Sequence, residues 1–246
     1  MMQTRGGRPV KSSAAKRPDA ARAPVNTGIT SERARTRMVE AVQAFGVRDP
    51  DVLSAMDKVP RHLFVEQALA SRAYEDVALP IGHGQTISRP SIVGRMLELV
   101  LAQVPFGQRG AAKALEIGTG CGYQAAVMAQ VVGEVVSVER LRALHEAARA
   151  NLRSLRQANL RLVFGDGRLG VPQVAPFDAI VVAAAGESIP DDLLLQMKVG
   201  GRLVAPITSA ASGSQSLHLV ERAGDDDWHL TVLDAVRFVP LRAGTR

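Results

Sequence analysis

Aromatic side chains make up only 4% of this 246-residue chain, too few to build stacking platforms for unpaired bases. There is one cysteine, Cys121, which excludes an intrachain disulfide framework and suits a reducing compartment. No apolar run reaches the ~18–20 residues of a membrane-spanning helix. The start lacks the apolar stretch of a secretory signal, although its Arg-rich, acid-poor composition is shared with organelle transit peptides. The five histidines, His62, His83, His145, His218 and His229, show no i, i+3 or i, i+4 pairing, so no metal centre is expected.

The chain also lacks a charge excess outside its first residues. The net charge is +6. Residues 1–35 hold eight Lys or Arg against Asp19 and Glu32, which accounts for all of it; residues 36–246 balance at 22 against 22. A basic binding face for nucleic acid is therefore not expected on the folded part. A solvated, disordered tail over 1–30 is.

From residue 31 a folded pattern begins, read as one domain over 31–246. Thr30 or Ser31 can cap a helix with apolar positions Met38, Val39, Val42 and Phe45, stopped by Gly46. Asp49-Pro50 reads as N-cap and first position of a second helix carrying Val52, Leu53 and Met56, ended by Pro60. Pro90 opens a third, with its stripe at Ile92, Val93, Met96, Leu97, Val100 and Leu101. These helices make 31–110 a cap segment for substrate. Between them lies Leu79–Pro90, LPIGHGQTISRP, rich in Gly, Pro and hydroxyl side chains, on no evident helix or strand.

Over 111–246 short apolar runs alternate with helical spacing. The runs are Ala114–Ile117, Val135–Val138, Leu160–Phe164, Ala179–Ala183 and Leu203–Pro206; Leu141, Leu144, Ala148, Leu152 and Leu155 keep helical spacing. This predicts a doubly wound, mostly parallel sheet covered on both faces. Leu217–Val220 and Leu230–Leu233, around an Asp-rich turn, predict a closing antiparallel hairpin. The order of the last strands stays open.

The segment ALEIGTGCGYQAAVMA places Gly118-Thr119-Gly120-Cys121-Gly122 between a strand and a helix, where glycines let a ligand approach the backbone. A dinucleotide fingerprint needs glycine at the sixth position, and Tyr123 stands there, which lowers a nicotinamide or flavin reading. Glu116 lies on the strand before the turn. Glu139, ending the next strand, suits both hydroxyls of a ribose, or a charge at the following helix N-terminus. Asp166-Gly167, after the third strand, suits an exocyclic adenine amine, or a plain turn. In this order the features point to S-adenosylmethionine in a methyltransferase fold.

The fourth strand ends in Val182-Ala183-Ala184-Ala185-Gly186, without the acid or Asn and Pro-Pro-aromatic of exocyclic-amine methylases. Cys121 sits inside the cofactor loop, unsuited to attack a cytosine. An acceptor that needs no base is a carboxylate, ionised at neutral pH.

The segments VPRHLFV, AYEDVALPIGHGQTISRP, ALEIGTGCGYQ, GDGR, FDAIVVAAA, IPDDLLLQMKVGGRLVAPI and VRFVPL together resemble the protein-L-isoaspartate (D-aspartate) O-methyltransferase family, in order, over roughly 35–241. The resemblance implies a Rossmann-like class I methyltransferase with an N-terminal helical extension. It implies methyl transfer from S-adenosylmethionine to the free α-carboxylate of L-isoaspartyl residues in aged proteins, starting repair through a succinimide. On this resemblance Ser88 is the expected catalytic residue. Gln85, Thr86, Glu116, Gly118, Thr119, Gly120, Glu139, Asp166 and Gly167 are the expected cofactor contacts. Ser88 can equally be the N-cap before Pro90. Tyr74 and Asp76 are expected to brace the loop. Val93 stands where animal members carry a histidine. A cytoplasmic monomer with no specific nucleic acid or membrane partner is expected. Another S-adenosylmethionine-dependent methyltransferase, for nucleic acid or a small molecule, and a non-catalytic cofactor-binding module are the alternative readings.

Overall fold

The computed structural model describes Met1 and residues 29–246, with side chains from Glu32 onward. The expected disordered tail therefore lies almost wholly outside the described residues. Helix α1 spans Ile29–Phe45. Thr30 and Ser31 thus fall inside its first turn, not before it; a hydroxyl caps a helix only from the non-helical residue ahead. Helix α2, Pro50–Lys58, starts as expected: Asp49 accepts from the N–H groups of Asp51 and Val52. Two 3-10 turns follow, Arg61–Phe64 and Gln67–Arg72.

The segment without evident structure is a small hairpin. Strands β1, Leu79–Pro80, and β2, Thr86–Ile87, pair antiparallel. Its tip, Gly82-His83-Gly84, has three successive positive φ angles of 86°, 53° and 69°. Two-residue strands carry no readable alternation, so period-2 patterning could not reveal them. Helix α3, Pro90–Leu101, follows.

The sheet is built from β3 (Lys113–Ile117), β4 (Glu134–Glu139), β5 (Leu160–Phe164), β6 (Phe177–Val182), β7 (Met197–Thr208), β8 (Gln215–Gly224) and β9 (Asp227–Val236). Among the described residues these form one seven-stranded sheet in the order β5-β4-β3-β6-β7-β8-β9. The first five are parallel; β8 and β9 add antiparallel. Helices α4 (Tyr123–Met128), α5 (Arg142–Leu152) and α6 (Asp191–Leu195) lie in the crossovers.

Alternation along the parallel strands supplies two cores. Ala114, Val135, Ala179, Val181 and Val204 face α1–α4. Leu115, Ile117, Val136, Val138, Ile180 and Leu203 face the opposite layer with Leu193 of α6. Both faces are thus covered, as the near-continuous apolar runs imply. The edge strand β9 turns Leu230 and Val232 to solvent. Phe45, expected in the apolar face of α1, is 45% exposed and lies under the Arg89 guanidinium instead.

Two segments of the cap are joined by a buried ion pair. Arg109, in the 3-10 turn Phe106–Ala111, meets both oxygens of Asp49 and also Asp51. Burial raises the Asp49 pKa, but Arg109 and the Val52 and Asp51 N–H groups outweigh it, leaving the carboxyl below its ordinary value. Asp49→Ala removes a helix cap and strands a buried guanidinium, so it should cost about 3 kcal/mol of unfolding free energy in urea titrations. A loss below about 0.5 kcal/mol, the scale of an ordinary surface substitution, would refute this account.

Candidate active site

Strand order reverses between β3 and β6, and ligands of doubly wound sheets bind at the carboxyl ends of the strands at such a point. The cleft lies there. Its floor is Glu116, Gly118, Thr119 and Gly120; one wall is Glu139, Arg140 and Leu141; Gly167, Ala183 and Ala184 close the others. The hairpin contributes Ile81, Gln85, Thr86, Ile87 and Ser88 as a lid.

The glycine turn is fixed by the neighbouring strand. Gly118 and Thr119 both donate to the Val138 carbonyl, at 2.9 and 3.2 Å. Gly120 donates to Glu139 Oε2 at 2.9 Å, while Glu139 Oε1 accepts from Leu141 at 2.9 Å. Gly118 and Gly120 have φ of 94° and 55°, where a side chain is strained. Glu139 keeps free lone pairs beyond these two bonds. It therefore shapes the turn and can still receive hydroxyl groups.

Below the turn, Glu116 is wholly buried. The Ser137 hydroxyl donates to its Oε2 and stands 2.6 Å from the Thr119 hydroxyl. Glu116 Oε1 and Gln124 Nε2 are buried without partners. Burial pushes the Glu116 carboxyl up to about 8, opposed by the Ser137 hydroxyl and the nearby Gln124 amide, which lies outside strict hydrogen-bond geometry, and helped by the Glu139 charge. Burial also pushes the Cys121 thiol to about 11 and the Tyr123 hydroxyl to about 12, so neither is a nucleophile or a base at neutral pH.

Ser88 is not the N-cap of α3; Arg89 is, without a side-chain cap bond. The N-terminus is served by Asp76, which accepts from the Ser91 N–H and hydroxyl, both at 2.8 Å. Tyr74 joins His62 Nδ1 at 2.7 Å. The end of the loop is thus braced by Asp76, which also pairs with Arg89 at 3.3 Å, whereas the hydroxyl of Tyr74 is directed to His62 and not to the loop. Among the described residues the Ser88 hydroxyl has no hydrogen-bond partner. Ser88, Thr86 and Ala183 line both this cleft and a second, open groove with Phe45, Ile92, Val236 and Phe238.

Of the expected contacts, Gln85, Thr86, Glu116, Gly118, Thr119, Gly120, Glu139 and Gly167 meet in the cleft, with Ser88 beside them. Asp166 does not. Its Oδ1 accepts from Arg168 and its Oδ2 from Gly244, at 2.9 and 2.6 Å, and it lies at the rim of a different depression. The C-terminal segment that takes this carboxylate was missing from the expected site. Val239, Pro240, Leu241 and Arg242 line the cleft. They are held by Ala185, whose N–H meets Val239 O and whose carbonyl accepts from Leu241, both at 2.7 Å. The VPL of the VRFVPL motif was the available signal.

A glycine turn closing on an acidic strand end, over a buried carboxyl and under a hairpin lid, defines a class I methyltransferase architecture. Within it, the chain belongs to the protein-L-isoaspartate(D-aspartate) O-methyltransferase family, whose sequence model matches residues 33–246. A protein-L-isoaspartate O-methyltransferase of Ralstonia nicotianae is 58% identical over 228 residues, covering 89% of this chain and 71% of the relative. One of Burkholderia mallei is 57% identical over 216 residues, covering 88% and 65%. The chain thus spans about two thirds of the length of these relatives. A solved protein-L-isoaspartate O-methyltransferase superposes with a TM-score of 0.75 at 33% identity, over 84% of this chain and 65% of the other. A Plasmodium falciparum chain, solved with S-adenosyl-L-homocysteine, shares the fold with a TM-score of 0.74 at 23% identity, over 85% and 98%.

The raised carboxyl has a thermodynamic consequence. Glu116 holds its proton to about pH 8 when folded, against 4.5 ordinarily. The folded state therefore binds the extra proton, and stability falls as pH rises between those values. The melting midpoint of Glu116→Gln should exceed that of the wild type by a margin absent near pH 4.5 and growing to a plateau above pH 8. A margin independent of pH would mean that Glu116 is ionised throughout.

Proposed function

We propose that this chain transfers a methyl group from S-adenosylmethionine to the free α-carboxylate of L-isoaspartyl residues in proteins and peptides. The observation that carries the reading is Ser88: a hydroxyl without a partner, at the junction of a nucleoside-sized cleft and an open groove. The cleft's residues fit the cofactor. Glu116 and Gln124 present partnerless polar atoms at its floor, Glu139 keeps acceptor capacity, and the backbone at Gly118 and Gly120 is open to close approach. Gly167 lines the cleft, and a Cβ there would collide with the buried Ile117, so the position is held to glycine by packing.

When bound, S-adenosylmethionine supplies an electrophilic methyl group on a sulfonium. The acceptor carboxylate is already anionic, so no residue has to remove a proton. Ser88 donates its hydroxyl to one carboxylate oxygen and thereby aims the other. Ala183 and Ala184 offer no charge and no competing acceptor. Joining a cation to an anion dissipates charge, and strong ionic clamps on the acceptor would favour the ground state over the transition state. A single hydroxyl and an apolar wall suit that demand, because alignment alone is worth up to ~7–11 kcal/mol in well-oriented systems. Cys121 and Tyr123, held neutral by burial, add no charge to the cleft.

The ester formed at an isoaspartyl carboxyl closes to a succinimide without the enzyme, and hydrolysis returns part of it as normal aspartate. We also read the chain as a monomeric, cytoplasmic enzyme of one domain over 31–246, with 31–110 the cap for substrate and 111–246 the cofactor sheet. A single buried cysteine suits a reducing compartment. No helix among the described residues is long and apolar enough to cross a membrane.

Label transfer from S-adenosylmethionine to an isoaspartyl peptide and to its aspartyl twin tests this reading. Base-labile label is expected on the first alone; equal labelling, or label on nucleic acid only, would defeat it. Ser88→Ala should lower kcat by about 10–100-fold while the Kd for S-adenosylhomocysteine stays within about twofold, as expected for an interaction made with the acceptor rather than with the cofactor. A matching loss of cofactor affinity would contradict the assigned role.

A further inference from the structure

Arg61 is the largest wholly buried side chain, at 0% exposure. It sits in the first 3-10 turn after Pro60 and has no assigned part in the chemistry above. Its Nε donates to the Ala73 carbonyl at 2.8 Å, and its Nη2 to the Ser88 carbonyl at 2.7 Å. The guanidinium carbon lies 4.7 Å from the centre of the Tyr123 ring, and Phe64 meets the same ring edge-on at 5.6 Å. Nη1 has no partner.

Among the described residues no carboxylate comes within ion-pair distance of this cation. Asp76, on the same side of the loop, is taken by Ser91 and by Arg89 at 3.3 Å. A buried guanidinium held by neutral carbonyls and a ring face is a poor way to stabilise a fold. Apolar replacements of buried charged groups are often neutral or stabilising. What an apolar side chain cannot do is grip two carbonyls from separate segments at once. The planar fork of arginine can.

The gripped points are informative. Ala73 begins the segment carrying Asp76, which braces the end of the loop. Ser88 lies between the two-residue strand β2 and α3, with its own hydroxyl unengaged. Tyr123 is the first residue of α4, directly after the glycine turn. We propose that Arg61 is a positioning residue for methyl transfer: its fork fixes the main chain at Ser88, and its stacking on Tyr123 sets that main chain at one distance from the cofactor turn. The inference rests on the role given to Ser88 above. Asp76 and Arg61 then act as two clamps on either side of Ser88, one on the start of α3 and one on the serine carbonyl.

The test compares wild type, Arg61→Lys, Arg61→Ala and Ser88→Ala on an isoaspartyl peptide, with S-adenosylhomocysteine binding followed by calorimetry. A misplacement of the acceptor hydroxyl by about 1 Å should cost on the order of 10²-fold in kcat, with cofactor Kd within about threefold. Lysine keeps the charge but cannot span both carbonyls, so Arg61→Lys should lose kcat too. Guanidinium ion added to Arg61→Ala should restore part of the lost kcat and leave Ser88→Ala unchanged. Faster amide exchange confined to residues 79–90 of Arg61→Lys would support the same role. Wild-type kcat in either arginine variant would overturn the proposal, as would cofactor affinity falling in step with kcat. If Arg61→Ala does not fold, Arg61→Lys decides, with its melting midpoint as the check of folding; failure of both to fold would also overturn it, by making Arg61 a stability residue. Inactivity of the wild type on the peptide would instead sink the functional reading.

Discussion

Two N–H groups converge on one carboxylate, and the nucleoside end of the cleft takes its form from that. Glu139 receives Gly120 from the turn after β3 and Leu141 from the start of the next crossover. The parallel register of β3 and β4 makes this possible, because Ile117 pairs with Val138 and so brings the turn beside the following residue. A slip of β3 by one residue would move its side chains, Glu116 among them, to the opposite face of the sheet. The buried carboxyl, the bent turn and the acidic strand end are therefore one construction, set by a single pairing.

Much of this was legible from the residues. The first four strand runs were read within two residues of where they fall, because strands buried on both faces leave continuous apolar stretches. Strand β7, by contrast, begins at Met197, six residues ahead of its apolar run. Asp49-Pro50 was readable as a helix start because a cap acts on its own next turn. What escaped depends on partners far off in the chain. Asp166 looked like a cofactor contact from its place after β5, yet Gly244, 78 positions later, takes one of its oxygens. Nothing in VPRHLFV marks Arg61, and only the folded chain shows it enclosed between Ala73, Ser88 and Tyr123. The Ser88 question was settled by Asp76, which serves the α3 N-terminus across the loop and leaves the serine hydroxyl unused.

The family motifs supplied what periodicity could not. The loop before the cofactor turn has no amphipathic signal, and its strands are too short to announce themselves. Its glycine-rich tip, with three positive φ angles in a row, shows why that composition is needed. The hairpin reverses in the least space that brings Thr86 and Ser88 over the turn after β3. Segments about thirty residues apart in sequence thus line one cleft, with α3 packed on the sheet between them.

The short side chains at the end of β6 bear on which molecules can react. An α-carboxylate branches straight from the main chain of its polypeptide, with no spacer to lengthen its reach. The polymer itself must then come nearly as close to the cleft as the reacting oxygen does. The methyl side chains of Ala183 and Ala184, which line the cleft, give that clearance, where a longer side chain would stand as a fender and hold the visiting backbone off. Two methyl side chains also carry no group that could hydrogen-bond to the residues on either side of an acceptor.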